Sequence, residues 1–336
     1  MVRVITVDDV RQLLRKLTLK QFFLKLVDRI ERDFARSHDF EKTPRHASHY
    51  PQGVIELMPA ADQDYYSVKF VNGHPNNPKQ HKQTVVALGI LADVQTGYPV
   101  LISEMTVLTA LRTAATSALV SQYLAPKGAK RFGIIGTGAQ SEFQVLAHHF
   151  LLGVNEIYYY DIDSKAMEKF ANNLSNYDLE LIACQSAEEV VSHSQILTTA
   201  TANKLKAKIV EEAWVRPGLH INGIGGDCPG KTELDTNLLS RCKIVVEHLE
   251  QTRHEGEIQS LKSGPIYAEL WELCAKKKVG RESEQEITLF DSVGFAIEDY
   301  SILRLIYSLA EEWHIGHMLD MVPAVSDPKD LYAWLH

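Results

Sequence analysis

Apolar residues near the start of the chain recur at helical spacing. Val10, Leu13, Leu14 and Leu17 share one face, and Thr6 with Asp9 three positions on forms a capping pair in front of them. A second helical stretch starts near Thr18 and carries Phe22, Phe23, Leu26, Val27 and Ile30, so residues 6–35 are read as helical. The pattern then shifts to strand-like runs at 53–58, 65–71, 84–92 and 98–103. Between the last two, Asp93-Val-Gln-Thr-Gly has the composition of a hairpin turn. Strands that follow strands directly predict antiparallel or mixed pairing. Residues 106–124 return to a helical pattern, rich in alanine and leucine and free of glycine and proline.

Residues 125–131 read as a linker, and the rhythm changes beyond them. Strands at 132–135, 156–160 and 180–183 are each followed by a helical pattern, starting near 139, 165 and 187. Further strands fall at 195–199, 220–224, 243–247 and 287–290. This alternation predicts a parallel, doubly wound sheet. A last helix is expected over 295–312, after which the chain is expected to return to the first unit. The fold class is therefore α/β: a doubly wound domain at 128–312 and an α+β domain, with a mixed or antiparallel sheet, built from 1–127 and 313–336.

Composition narrows the function. The 336 residues include 35 basic and 43 acidic ones, a formal net charge of −8, which argues against binding to phosphate backbones. No apolar run approaches the roughly 18 residues of a membrane span, and residues 85–92 end at Asp93. The chain reaches Asp8 and Asp9 too soon for a signal peptide. Cys184, Cys228, Cys242 and Cys274 contain no Cys-x-x-Cys pair. Their spacing argues against zinc and against a disulfide framework, and for a reducing, cytoplasmic compartment. The 14 histidines lack metal-ligand spacing, so no metal is expected. No Gly-x-Ser-x-Gly nucleophile elbow is present.

The strongest local signal is Phe132-Gly-Ile-Ile-Gly-Thr-Gly-Ala-Gln-Ser, a strand running into Gly136 and Gly138 with a helix beyond. Gly136 suits the tight turn, Gly138 lets backbone approach a pyrophosphate, and the helix N-terminus meets its charge. Ser141 takes the third glycine's place and is small enough for helix–strand packing. Asp161 ends the next strand, where an acid accepts from ribose hydroxyls and repels a 2′-phosphate. NAD is thus favoured over NADP, in a Rossmann-type domain. Residues 198–201 and 222–227 are small and polar at later strand ends. They suit a passing ribose and nicotinamide, or simply turn chemistry.

Asp227 follows Gly225 and Gly226 at one of these strand ends, where a carboxylate beside a nicotinamide would take a proton from an amine; a turn aspartate is the alternative. Arg45, Lys69 and Arg112 are candidate inward cations. A buried arginine needs an anion, and a substrate carboxylate is a good bidentate partner, although surface or ion-pair roles stay open. Glu56, within Val-Ile-Glu-Leu-Met, would bind a distal ammonium or pair with a lysine.

Several stretches resemble the ornithine cyclodeaminase/mu-crystallin family, in order and over nearly the whole chain. They are 53–59 (Gly-Val-Ile-Glu-Leu-Met-Pro), 69–75 (Lys-Phe-Val-Asn-Gly-His-Pro), 111–116, 136–144, 225–234 (Gly-Gly-Asp-Cys-Pro-Gly-Lys-Thr-Glu-Leu), 251–258 and 290–296. The resemblance implies a homodimer with tightly held NAD that converts L-ornithine to L-proline and ammonia. In that chemistry the substrate is oxidised to an imine, its δ-amine closes the ring as ammonia leaves, and the cyclic imine is reduced again. The resemblance assigns the α-carboxylate to Arg45, Lys69 and Arg112, acid/base work to Asp227, and further substrate contacts to Val293 and Glu56. It assigns the cofactor to Thr84, Arg112, Gly136, Gly138, Ala139, Gln140, Asp161, Thr201, Ile224, Gly225, Gly226, Lys231 and Ser292. Lysine cyclodeaminase, ketimine reductase and amino-acid dehydrogenase are alternative activities within the same family, as is a crystallin-like binder without catalysis. Ornithine and lysine differ by one methylene, worth only about 1–3 kcal/mol to a pocket, so the choice of ornithine rests on the resemblance.

Overall fold

The computed structural model describes residues 1–202, 208–261 and 266–336. Strand β1 (Val2–Ile5) precedes helices α1 (Val7–Lys16) and α2 (Leu19–Ala35). The expected 6–35 helix is therefore two helices. Thr6 forms a capping box with Asp9 at the first, and Thr18 accepts from the Gln21 N–H at the second. Each cap satisfies an N–H group that the helix itself leaves unpaired.

Strands β2 (Glu41–Lys42), β3 (His46–Tyr50), β4 (Gly53–Ala61), β5 (Tyr65–Gly73), β6 (Ala87–Asp93) and β7 (Pro99–Glu104) come next, then helix α3 (Thr106–Leu124). The β6–β7 hairpin turns where expected: Asp93 accepts from the Thr96 N–H at 2.8 Å, and Gly97 takes φ +73°. The second half runs β8 (Arg131–Ile135), α4 (Ser141–Leu152), β9 (Glu156–Tyr160), α5 (Ser164–Leu174), β10 (Glu180–Ala183), α6 (Ala187–His193), β11 (Ile196–Thr199) and β12 (His220–Gly223). It continues α7 (Thr236–Leu239), β13 (Cys242–Val246), α8 (Leu249–Glu255), β14 (Ala268–Glu269), α9 (Leu270–Cys274), β15 (Ile287–Asp291), α10 (Ala296–Trp313) and β16 (His317–Leu319).

Two sheets result. The first is mixed, in the order β16-β1-β7-β6-β5-β4-β2 with β3 also on β4, and only β1–β7 is parallel. The second is wholly parallel, in the order β10-β9-β8-β11-β12-β15-β13-β14. From β8 the chain winds outward through β9 and β10, then returns to β11 on the opposite side. That reversal opens a crevice at the carboxyl ends of β8 and β11, where α/β sheets of this kind bind ligands. The architecture is α/β, with a Rossmann-type parallel sheet beside a mixed one.

The last segment pairs with β1 through β16. The return to the first sheet begins earlier than residue 313, however. Helix α10, counted above with the parallel sheet, lies against α2, α3 and strands β4 to β6. Its buried Ile297, Tyr300, Ile302, Leu303 and Ile306 share a core with Phe22, Phe23 and Ile30 of α2. The helix follows its apolar face, and that face matches the mixed sheet.

Candidate active site

The crevice between β8 and β11 is shaped by glycine. Gly136 has φ +98°, and a Cβ there would lie 2.7 Å from the Ala200 carbonyl oxygen, so only glycine lets the two strand ends approach. At Gly138 a Cβ would meet nothing within 4 Å, which leaves open space beside the backbone. Helix α4 starts at Ser141, two residues later than expected, because Ala139 and Gln140 complete the turn. The Ser141 hydroxyl donates to the Gly138 carbonyl at 2.7 Å. The Gln140 side-chain oxygen is buried without a hydrogen-bond partner among the described residues. Asp161, just past β9, accepts from the Thr137 N–H at 2.7 Å, so it braces the glycine turn.

Across the crevice, the 224–234 segment after β12 is held by buried carboxylates. Thr201 donates its N–H at 3.0 Å, and its hydroxyl, to Glu233. Lys231 Nζ donates to the Thr201 carbonyl at 2.9 Å and lies 3.4 Å from Asp227 Oδ1. Burial works against the Lys231 charge, but Asp227 and Glu233 outweigh it and raise its pKa. Glu257 accepts from the Glu233 and Leu234 N–H groups at 2.8 and 3.0 Å, and Asp291 accepts from Glu257 and Ile258, both at 2.9 Å. Burial pushes the Glu257 and Asp291 carboxyls up, to about 8 and about 7. Gly225 and Gly226 are needed here because a Cβ would collide with the carboxylates of Glu233 and Glu257 respectively. Asp227 itself points outward, its side chain 55% exposed.

The loop after β15 carries Ser292, Val293 and Gly294, all three wrapped around buried Glu247. Ser292 donates its hydroxyl at 2.6 Å, and the Val293 and Gly294 N–H groups donate at 3.1 Å. Burial raises the Glu247 pKa, with Glu298 adding to the effect.

Against this loop the mixed sheet brings the three expected cations. Lys69 on β5 is fully buried, not on a solvated face, and donates to Asp299 at 2.8 Å. Burial, with the Arg112 charge, pulls its pKa down to about 8 despite Asp299. Arg112 on α3 donates to Glu298 at 2.5 Å and lies 3.1 Å from Asp299. The anion that a buried arginine requires is thus already supplied from α10. Arg45, between β2 and β3, donates to the Val293 and Gly294 carbonyls at 2.9 and 2.6 Å and to Glu56 at 3.3 Å. Its Nε lies 3.2 Å from Glu255. Glu56 therefore pairs with an arginine and not with the expected lysine. Thr84 stands apart: its carbonyl accepts from the His74 N–H within the β5–β6 connection. A cavity of about 490 Å³ opens beside Arg45, lined also by Glu255, Gln251, His248 and Phe295.

Several carboxylates central to this geometry went unnoticed in the sequence: Glu233, Glu247, Glu255, Glu257, Asp291, Glu298 and Asp299. Two carried the signal that marked Asp161, since Asp291 ends β15 and Glu247 directly follows β13. Glu298 and Asp299 stand as a lone acidic pair within Phe-Ala-Ile-Glu-Asp-Tyr-Ser-Ile-Leu, on a helix otherwise buried by apolar residues.

The family model for the ornithine cyclodeaminase/mu-crystallin family matches residues 7–313. The chain belongs to that family. It is 49% identical over 331 residues to the ornithine cyclodeaminase of Agrobacterium fabrum, covering 98% of this chain and 94% of the relative. Among solved structures, an archaeal alanine dehydrogenase dimer with bound NAD superposes with a TM-score of 0.88 at 34% identity, covering 96% of this chain and 99% of the other. A lysine cyclodeaminase, solved to explain its recognition of L-lysine, L-ornithine and L-2,4-diaminobutyric acid, gives 0.93 at 28% identity with 99% of both chains covered.

Proposed function

We propose that this family member is an NAD-dependent ornithine cyclodeaminase, which converts L-ornithine to L-proline and ammonia with no net redox change. The carrying observation is the junction at the ends of β12 and β15. In this reading Asp227 and the buried cations Lys69, Arg112 and Arg45 face the crevice of the glycine turn there, and the chain is 49% identical to an ornithine cyclodeaminase over 331 residues. A dinucleotide suits the crevice for reasons of its geometry: the glycine cradle, the open space at Gly138, the start of the 12-residue helix α4 and the orphaned Gln140 oxygen.

In this reading Gly136, Gly138, Ala139, Gln140, Asp161, Thr201, Ile224, Gly225, Gly226, Lys231 and Ser292 hold NAD, with Thr84 contributing from the β5–β6 connection and Arg112 from α3. When bound, NAD accepts and returns two electrons at the substrate Cα. Lys69, Arg112 and Arg45 receive the α-carboxylate; Arg112 keeps one terminal nitrogen, and Lys69 further donor capacity, beyond the contacts made to α10. Asp227, exposed to the cleft and next to Lys231, takes the proton from the α-amine and returns it to the departing ammonia. Val293 and Glu56 line the substrate chain. Ring closure joins the δ-nitrogen to Cα as the bond from Cα to the α-nitrogen breaks, and holding the chain curled supplies much of the rate.

The same reading places the protein in proline formation in the cytoplasm, as a homodimer. Support for the dimer is the outer face of the mixed sheet, where Leu57, Phe70, Leu88 and Ile90 stand exposed. We divide the chain functionally into a substrate and dimerisation unit, 1–127 with 296–336, and an NAD unit, 128–295, the boundary following α10.

The test is purified protein with NAD and a panel of amino acids, scored for proline, pipecolate, ammonia and nicotinamide absorbance. The expected result is proline and ammonia from L-ornithine with no net change at the nicotinamide band. Steady accumulation of reduced cofactor would mean a dehydrogenase, and pipecolate from L-lysine at a higher rate would mean a lysine enzyme.

A further inference from the structure

Arg45 is over-supplied with acceptors. Both hydrogens of one terminal nitrogen go to the Val293 and Gly294 carbonyls at 2.9 and 2.6 Å. The other terminal nitrogen is shared between both oxygens of Glu56 at 3.3 Å, a long contact for a charge-assisted bond. Its Nε lies 3.2 Å from Glu255 without making a hydrogen bond, and both that nitrogen and the facing Glu255 oxygen are buried with no hydrogen-bond partner among the described residues. The side chains of Arg45, Glu56 and Glu255 are 7, 13 and 12% exposed. One guanidinium therefore serves two largely buried carboxylates on different elements, β4 and the end of α8, and serves neither well. Burial lifts the Glu255 carboxyl to about 7 even with Arg45 beside it, with Glu56 and Asp227 adding to the rise. Among the described residues the ion pairs of both acids go to this one guanidinium.

We propose that Glu255 is a specificity-determining residue which, together with Glu56, receives the distal ammonium of a diamino acid in exchange for Arg45. The inference rests on the functional reading above and names how its substrate class is chosen. An incoming α-carboxylate draws on Arg45 and weakens its hold on the two acids. A diamino acid brings the replacement cation at its other end, so every buried charge stays paired. A monoamino acid of the same length brings none and leaves Glu56 and Glu255 buried and under-partnered, which is costly. Selection for the diamino acid then comes from the penalty against its competitor, the most effective form of discrimination by a polar site.

The experiment compares L-ornithine with L-norvaline, which has the same carbon chain without the distal amine. In the NAD-loaded protein, Glu255→Gln is expected to raise the KM for L-ornithine by about tenfold or more, as for loss of a desolvated ion pair. The inhibition constant of L-norvaline should meanwhile fall or stay within about threefold of wild type, and Glu255→Asp should recover part of the ornithine KM. A parallel rise in both constants would show that Glu255 merely shapes Arg45 and would overturn the proposal, as would no change in either. If Glu255→Gln does not fold, Glu255→Asp carries the same comparison, with the shorter acid affecting ornithine alone. Proline formation by the wild type is scored separately. Its absence would overturn the functional reading, whereas its presence with parallel losses would overturn the exchange at Arg45 only.

Discussion

Asp227 differs from every other carboxylate of the site in being more than half exposed, with one cation, Lys231, at 3.4 Å. Glu233, Glu247, Glu257, Asp291 and Glu298 accept from backbone N–H groups; Asp227 contacts the Lys231 ammonium instead. Asp227→Asn keeps the size and removes the proton acceptor. Turnover of L-ornithine is expected to fall by about 10²–10⁴, the usual share of a general acid/base, while the dissociation constant of NAD stays within about threefold. Ammonia release and a cofactor titration check the two halves, and retained turnover would move the acid/base role to another group. Asp227, Lys69, Arg112 and Asp161 were legible because each stands where its residue type is conspicuous: at a strand end, or a charge within an apolar stretch. Their partners were not. Asp299 lies 230 positions from Lys69 and Glu298 lies 186 from Arg112, and no local pattern encodes a pairing of that range.

At the scale of elements, long periodic segments were readable and short ones were not. Helix α3 and strand β9 have the expected bounds, and so has the four-residue β10, which follows a helix in a regular alternation; β1, β2, β14 and β16, of two to four residues each, stand outside such an alternation. Such strands exist by virtue of their neighbours in the sheet and not of their own hydrophobic pattern. One joint between elements has a testable pH signature. Where α3 and α4 meet the parallel sheet, the Ser121 hydroxyl contacts His148 at 3.0 Å and His220 at 3.1 Å, and the Asn222 amide at 3.1 Å. Burial lowers the His148 pKa to about 4 and that of His220 to about 3, with the Arg281 charge assisting at His220. Both rings are neutral in the folded chain, while the unfolded chain binds protons below about 6.5. Stability is therefore complete above pH 6.5 and falls as pH drops toward 4, by up to about 1.4 kcal/mol per unit for each ring. His148→Gln, which removes one titrating ring, is expected to flatten the dependence of Tm on pH between 6.5 and 4.5. An unchanged slope would mean that His148 takes no part in the acid limit.

For the molecule as a whole, the mixed sheet has one face against α2, α3 and α10 and another that no described element covers. Register sets Leu57 opposite Phe70 and Phe70 opposite Leu88, with Ile90 beside Val68 in the next outward row. Leu57, Phe70, Leu88 and Ile90 are 40–52% exposed, and Tyr66 adds to the same side. Alternation along β4, β5 and β6 is thus apolar on both faces, unlike a sheet with one side in water. A contiguous exposed apolar surface of this kind marks an interface, and the homodimer proposed above would cover it with the same face of a second copy. Phe70→Asp places a charge at the centre of that face, once from each subunit. Burying one such aromatic contributes about 1.5–3 kcal/mol, so loss of two should weaken the dimer by about 10²–10⁴-fold. The substituted position is exposed in the single chain, so the subunit itself is expected to fold. Sedimentation equilibrium over a range of concentrations should show monomer for the variant where the wild type is dimeric. A variant that stays dimeric with unchanged affinity would place the interface elsewhere on the molecule.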